Sequence, residues 1–163
     1  MANLYLMVGI PGSGKTTWVQ NHLDKFDKHI SRDDIRFSML KEGEDYFSRE
    51  KEVFKEYCSQ INRWLSNGFN VFADATHINK ASRAKIIKEI KGYHELNCIV
   101  VENSLFVTVR QNEQRTGLKY VPKSVIYRMS EQFEFPSYEE GFKNIFRVSQ
   151  DRLERIVYRK EDL

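Results

Sequence analysis

The chain has 163 residues, of which 40% are hydrophobic and 30% charged, and its formal net charge is +3. This length fits one domain with a well-buried core, and the composition excludes disordered and collagen-like proteins. With so small a net charge, any contact with nucleic acid depends on a local cluster of Lys and Arg. Cys58 and Cys98 are predicted to be buried small hydrophobic residues, and no long apolar stretch predicts a membrane span. We expect a single cytoplasmic domain over residues 1–163.

An apolar strand over residues 4–8 leads directly into a glycine-rich loop. Residues 9–16 read Gly-Ile-Pro-Gly-Ser-Gly-Lys-Thr and match the phosphate-binding pattern G-x-x-x-x-G-K-[ST]. The glycines let backbone N–H groups turn inward around phosphate oxygens, Lys15 adds a full charge, and the Thr16 hydroxyl can ligate Mg²⁺. The predicted nucleotide-binding residues are Gly9, Pro11, Gly12, Ser13, Gly14, Lys15, Thr16 and Thr17.

Helices and strands alternate along the rest of the chain. A helix with Trp18, Val19, Leu23 and Phe26 on its apolar side follows the loop. Further strands are predicted at residues 28–31, 69–73, 98–101 and 144–148, with helices at 47–65, at 79–90, at 105–115 and from Pro122 onward. This alternation predicts an α/β fold with a central parallel sheet of about five strands that binds ligands at its carboxyl edge. Together with the phosphate-binding motif at residues 9–16, it indicates a fold of the P-loop NTPase type. Residues 152–163 are predicted to form a surface helix.

Two acidic positions follow predicted strands and therefore belong to that edge. Asp74 follows the strand at 69–73, where its carboxylate can hold Mg²⁺ or its water; the alternative is a turn or capping aspartate. Asp33 and Arg36 follow the strand at 28–31, where a carboxylate can accept the proton of an attacking hydroxyl beside an arginine that binds phosphate. The alternative there is the solvated N-terminus of a helix. Asp74 and Thr76 are also candidates for substrate contacts.

A basic stretch surrounds Gly117 between two predicted helices and contains Arg110, Arg115, Lys119 and Lys123. A basic loop with a glycine can close as a lid and bring an arginine onto a transferring phosphoryl group. The alternative is a solvated turn rich in Lys and Arg. The aromatic residues Tyr46, Phe47 and Tyr138 fit either base stacking or the core.

Four segments together resemble the phage-type polynucleotide 5′-hydroxyl kinases and, more widely, the small AAA-type P-loop kinases. They are residues 9–18, Ser-Arg-Asp-Asp-Ile-Arg at 31–36, Asp-Ala-Thr-His-Ile-Asn at 74–79, and Arg115 with the pair Val121-Pro122. The resemblance implies Asp33 as general base, Arg36 as the residue that binds substrate phosphate, and Arg115, with Lys15, as a catalytic cation under a helical lid. The sequence departs from the phage enzymes at Ala75, which separates Asp74 from Thr76, and the phosphatase domain of those enzymes is not expected here.

These motifs specify the cofactors, ATP and Mg²⁺, more closely than the acceptor. The first hypothesis is an ATP-dependent kinase that transfers the γ-phosphate to the 5′-hydroxyl end of DNA or RNA, with no obligate protein partner. The alternatives are a P-loop kinase of a small-molecule alcohol and a non-catalytic ATP-binding switch. Asp33, Arg36 and Arg115 argue against the switch, because a switch needs no base for an acceptor hydroxyl.

Overall fold

The computed structural model describes residues 1–149 and 152–156, in which six strands form one sheet. The strands are β1 (Asn3–Val8), β2 (Asp27–Ser31), β3 (Asn70–Asp74), β4 (Glu95–Glu102), β5 (Asn144–Ser149) and β6 (Arg152–Arg155). The helices are α1 (Lys15–His22), α2 (Arg32–Met39), α3 (Glu50–Ser66), α4 (Lys80–Glu89), α5 (Leu105–Glu113) and α6 (Lys123–Gln132). None of the helices in the described part of the chain is both long and apolar enough to cross a membrane.

The strand order is β2-β3-β1-β4-β5-β6, with β1 near the middle of the sheet. The first five strands are parallel, and β6 runs antiparallel to β5. Met7 and Ser31 both pair with Asp74 in the registers of their strands. The residues that follow β1, β2 and β3 therefore meet at one edge of the sheet, and the predicted parallel α/β fold is confirmed.

The core lies on both faces of this sheet, because successive strand residues point to opposite sides. In β1, Leu4, Leu6 and Val8 join a large apolar cluster that includes residues of α3 and α4. Met7 points the other way, into a smaller cluster with Trp18 and Val19 of α1. The strands are thus held from both sides, as expected for a parallel sheet. Both cysteines are buried and free, which confirms their predicted role as small core residues.

Two predictions from the sequence were wrong in detail. Residues 152–155 form an edge strand instead of the start of a helix, because the free edge of β5 satisfies their backbone groups through an antiparallel ladder. The remainder of the predicted helix, residues 157–163, lies outside the described part. Phe26 is not on the apolar side of α1, since the chain is already extended at Leu23, and its side chain is 58% exposed.

Candidate functional site

The phosphate-binding loop joins β1 to α1 and is built on backbone conformations that favour glycine. Gly12 and Gly14 have φ angles of 83° and 98°, in the left-handed region. Gly14 is the N-cap of α1 and offers no side chain, so the first N–H groups of the helix stay open to an anion. The N–H of Gly9 donates to the carbonyl of Thr76 at 3.0 Å, which ties the loop to the segment after β3.

Asp74 lies beneath the start of α1 and is 5% exposed. Its Oδ2 accepts hydrogen bonds from the Thr16 hydroxyl at 2.7 Å and from Nε2 of His29 at 2.8 Å. Burial by itself raises the pKa of this carboxyl, but the bond from His29, the charge of Lys15 and the bond from Thr16 outweigh it, and the pKa lies below its usual value. Asp74 is therefore an ionised carboxylate at neutral pH.

Lys15 is the buried cation of the site, with 8% of its surface exposed. Its Nζ donates to the carbonyl of Ile10 at 3.2 Å. Burial lowers the pKa of Lys15, Asp74 opposes this effect, and the charge of Arg115 lowers the pKa further. The lid arginine, the loop lysine and the β3 aspartate therefore act on one another within a single electrostatic environment.

Thr16 and Asp74 together suit Mg²⁺. In the described part of the chain, no group of three or more His, Cys, Asp or Glu residues could hold a metal ion by itself. Mg²⁺ is typically bound by one or two protein oxygens, with substrate phosphates and water completing its shell. The hydroxyl of Thr16 beside the ionised carboxylate of Asp74 is such a donor set, and these two residues would hold the ion.

Asp33 occupies the first turn of α2, which Ser31 caps by accepting a hydrogen bond from the N–H of Asp34 at 3.2 Å. Its side chain is 53% exposed, and its Oδ1 accepts bonds from Nη1 of Arg36 and, at 2.6 Å, from the Tyr46 hydroxyl. Burial, with the charge of Asp33, raises the pKa of Tyr46, so its hydroxyl remains a donor. Asp33 is thus both a helix N-terminal residue and an oriented carboxylate.

Arg36 is the anchor of this group and is 4% exposed. Besides Asp33, it donates to the Tyr46 hydroxyl at 2.7 Å and to Oε2 of Glu50 at 2.8 Å. Its guanidinium carbon also lies 4.3 Å from the centre of the Tyr46 ring. The planar fork of an arginine can serve all these partners at once. Contact between Arg36 and a substrate phosphate would require the exchange of one of these bonds.

A cavity of about 530 Å³, called the larger cavity below, brings the predicted catalytic and substrate residues together. The predicted residues that line it are Pro11, Lys15, Thr16, Asp33, Arg36, Asp74, Thr76 and Arg115. Its outer wall is the lid segment, residues 105–132, which supplies Tyr120, Val121 and Pro122. Arg115 reaches this wall from the turn after α5, where its Nη1 lies 3.4 Å from the carbonyl oxygen of Lys119. Thr17, also predicted, is exposed on α1 and does not line this cavity.

A second cavity of about 420 Å³, the smaller cavity, lies on the other side of the phosphate loop. Gly9 and Ser13 border it, together with the ends of β4 and β5. Glu102 and Arg147 form an ion pair of 2.7 Å in its wall. The Ser13 hydroxyl is buried and has no hydrogen-bond partner among the described residues. Sequence reasoning did not identify this cavity, because its residues come from strand ends that are far apart in the chain.

The sequence did not predict three hydrogen-bond partners of the site residues: His29 for Asp74, and Tyr46 and Glu50 for Arg36. It indicated Tyr46 only as a stacking or core residue. The position of His29 could have been predicted from the strand register. Ser31 pairs with Asp74, and His29, two residues earlier on β2, lies on the same face of the sheet as Ser31. The contacts of Tyr46 and Glu50 could not be predicted in this way, because their approach to α2 depends on the path of the loop at residues 40–49.

Residues 4–136 match the AAA_33 family, which is described as an AAA domain. The chain belongs to this family. The match includes the phosphate loop, Asp33, Asp74 and the whole lid segment. No curated protein sequence matches the chain at a significant level.

Solved structures with this fold include kinases with different acceptors. A chain of the Pnkp1/Rnl/Hen1 RNA repair complex has a TM-score of 0.70 and 25% identity, over 80% of this chain and 43% of that one. A fungal RNA kinase has a TM-score of 0.61 and 15% identity, over 93% and 77% of the two chains. A gluconokinase from Sinorhizobium meliloti 1021 has a TM-score of 0.59 and 17% identity, over 92% and 83%. The fold is that of the P-loop kinases, and this chain spans less than half of the RNA repair protein.

Proposed function

We propose that this protein transfers the γ-phosphate of ATP to the 5′-hydroxyl end of a polynucleotide. The observation that carries this proposal is the pair of cavities that share the phosphate loop. A phosphotransferase holds donor and acceptor in line on the two sides of the transferred phosphorus. Gly9 and Ser13 border the smaller cavity, while Pro11, Lys15 and Thr16 border the larger one. The nucleoside of ATP fits the smaller cavity, and the acceptor hydroxyl fits the larger.

In this proposal the oxygen of the 5′-hydroxyl forms the new bond to the γ-phosphorus, and Asp33 accepts the proton that this hydroxyl loses. The bond from that phosphorus to the bridging oxygen breaks, and ADP leaves. Both hydrogen bonds to Asp33 go to Oδ1, so Oδ2 is the oxygen available to the substrate. Arg36 and Tyr46 hold the carboxylate in position, because each donates to Oδ1 and the two also bond each other.

The cations of the site stabilise the charge of the phosphoryl group in transfer, which is the main catalytic term left to the protein in this chemistry. Lys15 acts from the loop and Arg115 from the lid. A bound Mg²⁺, held by Thr16 and Asp74, would neutralise phosphate charge. His29 keeps Asp74 oriented through its Nε2–H.

A small-molecule alcohol is the second candidate acceptor, because the gluconokinase shares the fold over 92% of this chain. Salt separates the two candidates. A protein that contacts successive phosphates loses affinity steeply as salt rises, whereas the binding of a small acceptor with one charge or none changes much less. We expect the oligonucleotide to make about three or more phosphate contacts with the protein. Its KM should then rise by at least about tenfold between 50 and 200 mM salt.

The decisive experiment is transfer of labelled γ-phosphate from ATP to 5′-hydroxyl DNA and RNA oligonucleotides by wild type, Asp33→Asn and Asp34→Asn. Asp34 is the matched control, since it is the adjacent exposed residue of the same helical turn and does not line the larger cavity. We expect label on the 5′ end with wild type and Asp34→Asn, and a loss of at least 10²-fold with Asp33→Asn. Full transfer by Asp33→Asn would overturn the base assignment. Bound ATP with no phosphorylated product for any acceptor would favour the switch.

A further inference from the structure

Phe47 stands out among the large apolar side chains because it is 65% exposed and yet lines the larger cavity. It lies on the loop between α2 and α3, next to Tyr46. The two rings meet edge to face with centroids 4.6 Å apart and an interplanar angle of 85°. This contact orients the Phe47 ring without covering it. An exposed phenyl group of this kind has no role in the core, so its surface is available to a ligand.

The larger cavity that Phe47 lines has both apolar and charged residues in its walls. Tyr120, Val121, Pro122 and Val125 of the lid segment line it together with Phe47, and we call these five residues the apolar rim. The charged groups in these walls are the guanidinium groups of Arg32, Arg36 and Arg115 and the carboxylate of Asp33. An occupant that matches both parts offers a hydroxyl to Asp33, anionic groups to the arginines and an apolar surface to the rim.

The position of Phe47 relative to Asp33 narrows the choice of occupant. The Tyr46 hydroxyl lies 2.6 Å from Oδ1 of Asp33, and the Tyr46 ring contacts Phe47. The proton acceptor and the exposed ring are therefore separated by one tyrosine side chain. In a 5′-terminal nucleoside, the hydroxyl and the flat base are separated by one ribose ring. A sugar acid has the hydroxyls and the anion but no aromatic face.

We infer that Phe47 is the stacking platform for the terminal base of a 5′-hydroxyl strand. This inference rests on the function proposed above and extends it to the recognition of the acceptor. Stacking on an aromatic side chain tolerates every base, because each base has a π-face. The platform would thus select nucleic acid over sugar acids while leaving the terminal sequence free. A cation also lies near the Phe47 ring: the guanidinium carbon of Arg36 is 5.8 Å from the ring centre.

The test compares two DNA oligonucleotides that differ only at the 5′-terminal residue, one with a normal base and one with a tetrahydrofuran abasic residue that keeps the 5′-hydroxyl. The proteins are wild type, Phe47→Ala, Phe47→Trp and Phe106→Ala. Phe106 is the matched control, since it is 70% exposed on α5 and does not line the larger cavity. Thermal melting of each variant verifies that the fold is intact.

We expect Phe47→Ala to raise KM about tenfold for the normal end, with kcat changed less than about twofold. The same variant should match wild type on the abasic end, while Phe47→Trp and Phe106→Ala should match wild type on both ends. An equal loss on both ends, or no loss on either, would overturn the platform and leave the kinase function intact. A wild-type protein that phosphorylates no polynucleotide would overturn the proposed function and the platform with it.

Discussion

The two sides of the larger cavity are built in different ways. The phosphate floor consists of the loop at residues 9–16 with Asp74, and its charged side chains are buried: Lys15 is 8% and Asp74 is 5% exposed. The acceptor side consists of Asp33, Arg36, Tyr46 and Phe47, where the Asp33 side chain is 53% and Phe47 is 65% exposed. The comparison indicates that the sheet holds the phosphate-binding residues in buried positions, whereas the residues that we propose to contact the acceptor lie on more exposed segments.

The rigidity of the floor comes from a buried network behind it. Nδ1 of His77 donates to the carbonyl of Met7 at 2.6 Å, and Nη1 of Arg83 donates to the carbonyl of His77 at 2.8 Å. Gly9 is bound to Thr76 in the same segment. These bonds fix the segment after β3 to β1 and to α4, so the phosphate loop is held before any ligand binds. Of the four residues named on the acceptor side, Arg36 alone is buried.

The largest effect is expected at the floor. Lys15→Met keeps the length of the side chain and removes its charge. Phosphoryl transfer should fall by about 10³-fold, because a preorganised cation is lost where charge is stabilised. Single-turnover transfer at saturating ATP measures this effect. Lys28→Met is the control, because that lysine packs on Trp64 outside the cavity, and a comparable loss there would contradict the assignment.

The network behind the floor is tested by Glu140→Ala. Arg83 is fully buried, and its Nε lies 2.7 Å from Oε1 of Glu140. Removal of the carboxylate leaves a buried charge without its partner, so we expect a loss of about 3 kcal/mol in the free energy of unfolding. The control is Glu102→Ala, which breaks a pair of the same length whose side chains are 33% and 47% exposed, and it should cost less than about 1 kcal/mol. Urea denaturation of both variants measures these losses. Equal losses of unfolding free energy would show that burial of the ion pair does not determine its contribution to stability.

A smaller effect is expected at the anchor of the acceptor side. Arg36→Lys retains the charge but cannot reproduce the fork that joins Asp33, Tyr46 and Glu50. We expect transfer to fall about 30-fold, or ~2 kcal/mol, because the Asp33 carboxylate, the proposed proton acceptor, loses its orientation. The affinity for ATP should not change, since the floor is anchored separately. Arg49→Lys is the control: Arg49 forks onto Glu44 in the same loop region and does not line the larger cavity. A parallel loss of ATP affinity would show that the two sides are not independent.

The same contrast explains what the sequence could predict. The strand β1, the phosphate loop and the position of Asp74 depend on local patterns: an apolar run, glycines at left-handed positions, and a polar residue at a strand end. The cluster on Asp33 could not be completed in this way, because Tyr46 and Glu50 reach it through a loop whose path no periodicity specifies. The edge strand β6 was missed for a related reason. Its pairing is decided by the open edge of β5, and its own residues, Arg152–Arg155, carry no strand-like alternation.

The smallest effect concerns His77 and the pH dependence of stability. Burial lowers the pKa of this imidazole to about 4, although its bond to the Met7 carbonyl opposes the shift. The folded protein therefore keeps His77 neutral below pH 6.5, where the unfolded chain binds a proton. Stability should fall as the pH decreases from about 6.5 towards 4, with a contribution from His77 of about 1 kcal/mol between pH 7 and 5.5.

His77→Asn isolates this contribution, because an asparagine amide can replace the Nδ1 donor and Asn tolerates the φ of 43° at this position. The free energy of unfolding of the variant should fall by about 1 kcal/mol less than that of wild type between pH 7 and 5.5. His94→Asn removes an exposed imidazole and should keep the wild-type slope. Should His77→Asn retain that slope as well, the acid sensitivity of the fold would arise elsewhere, and the network behind the phosphate floor would not depend on a neutral histidine.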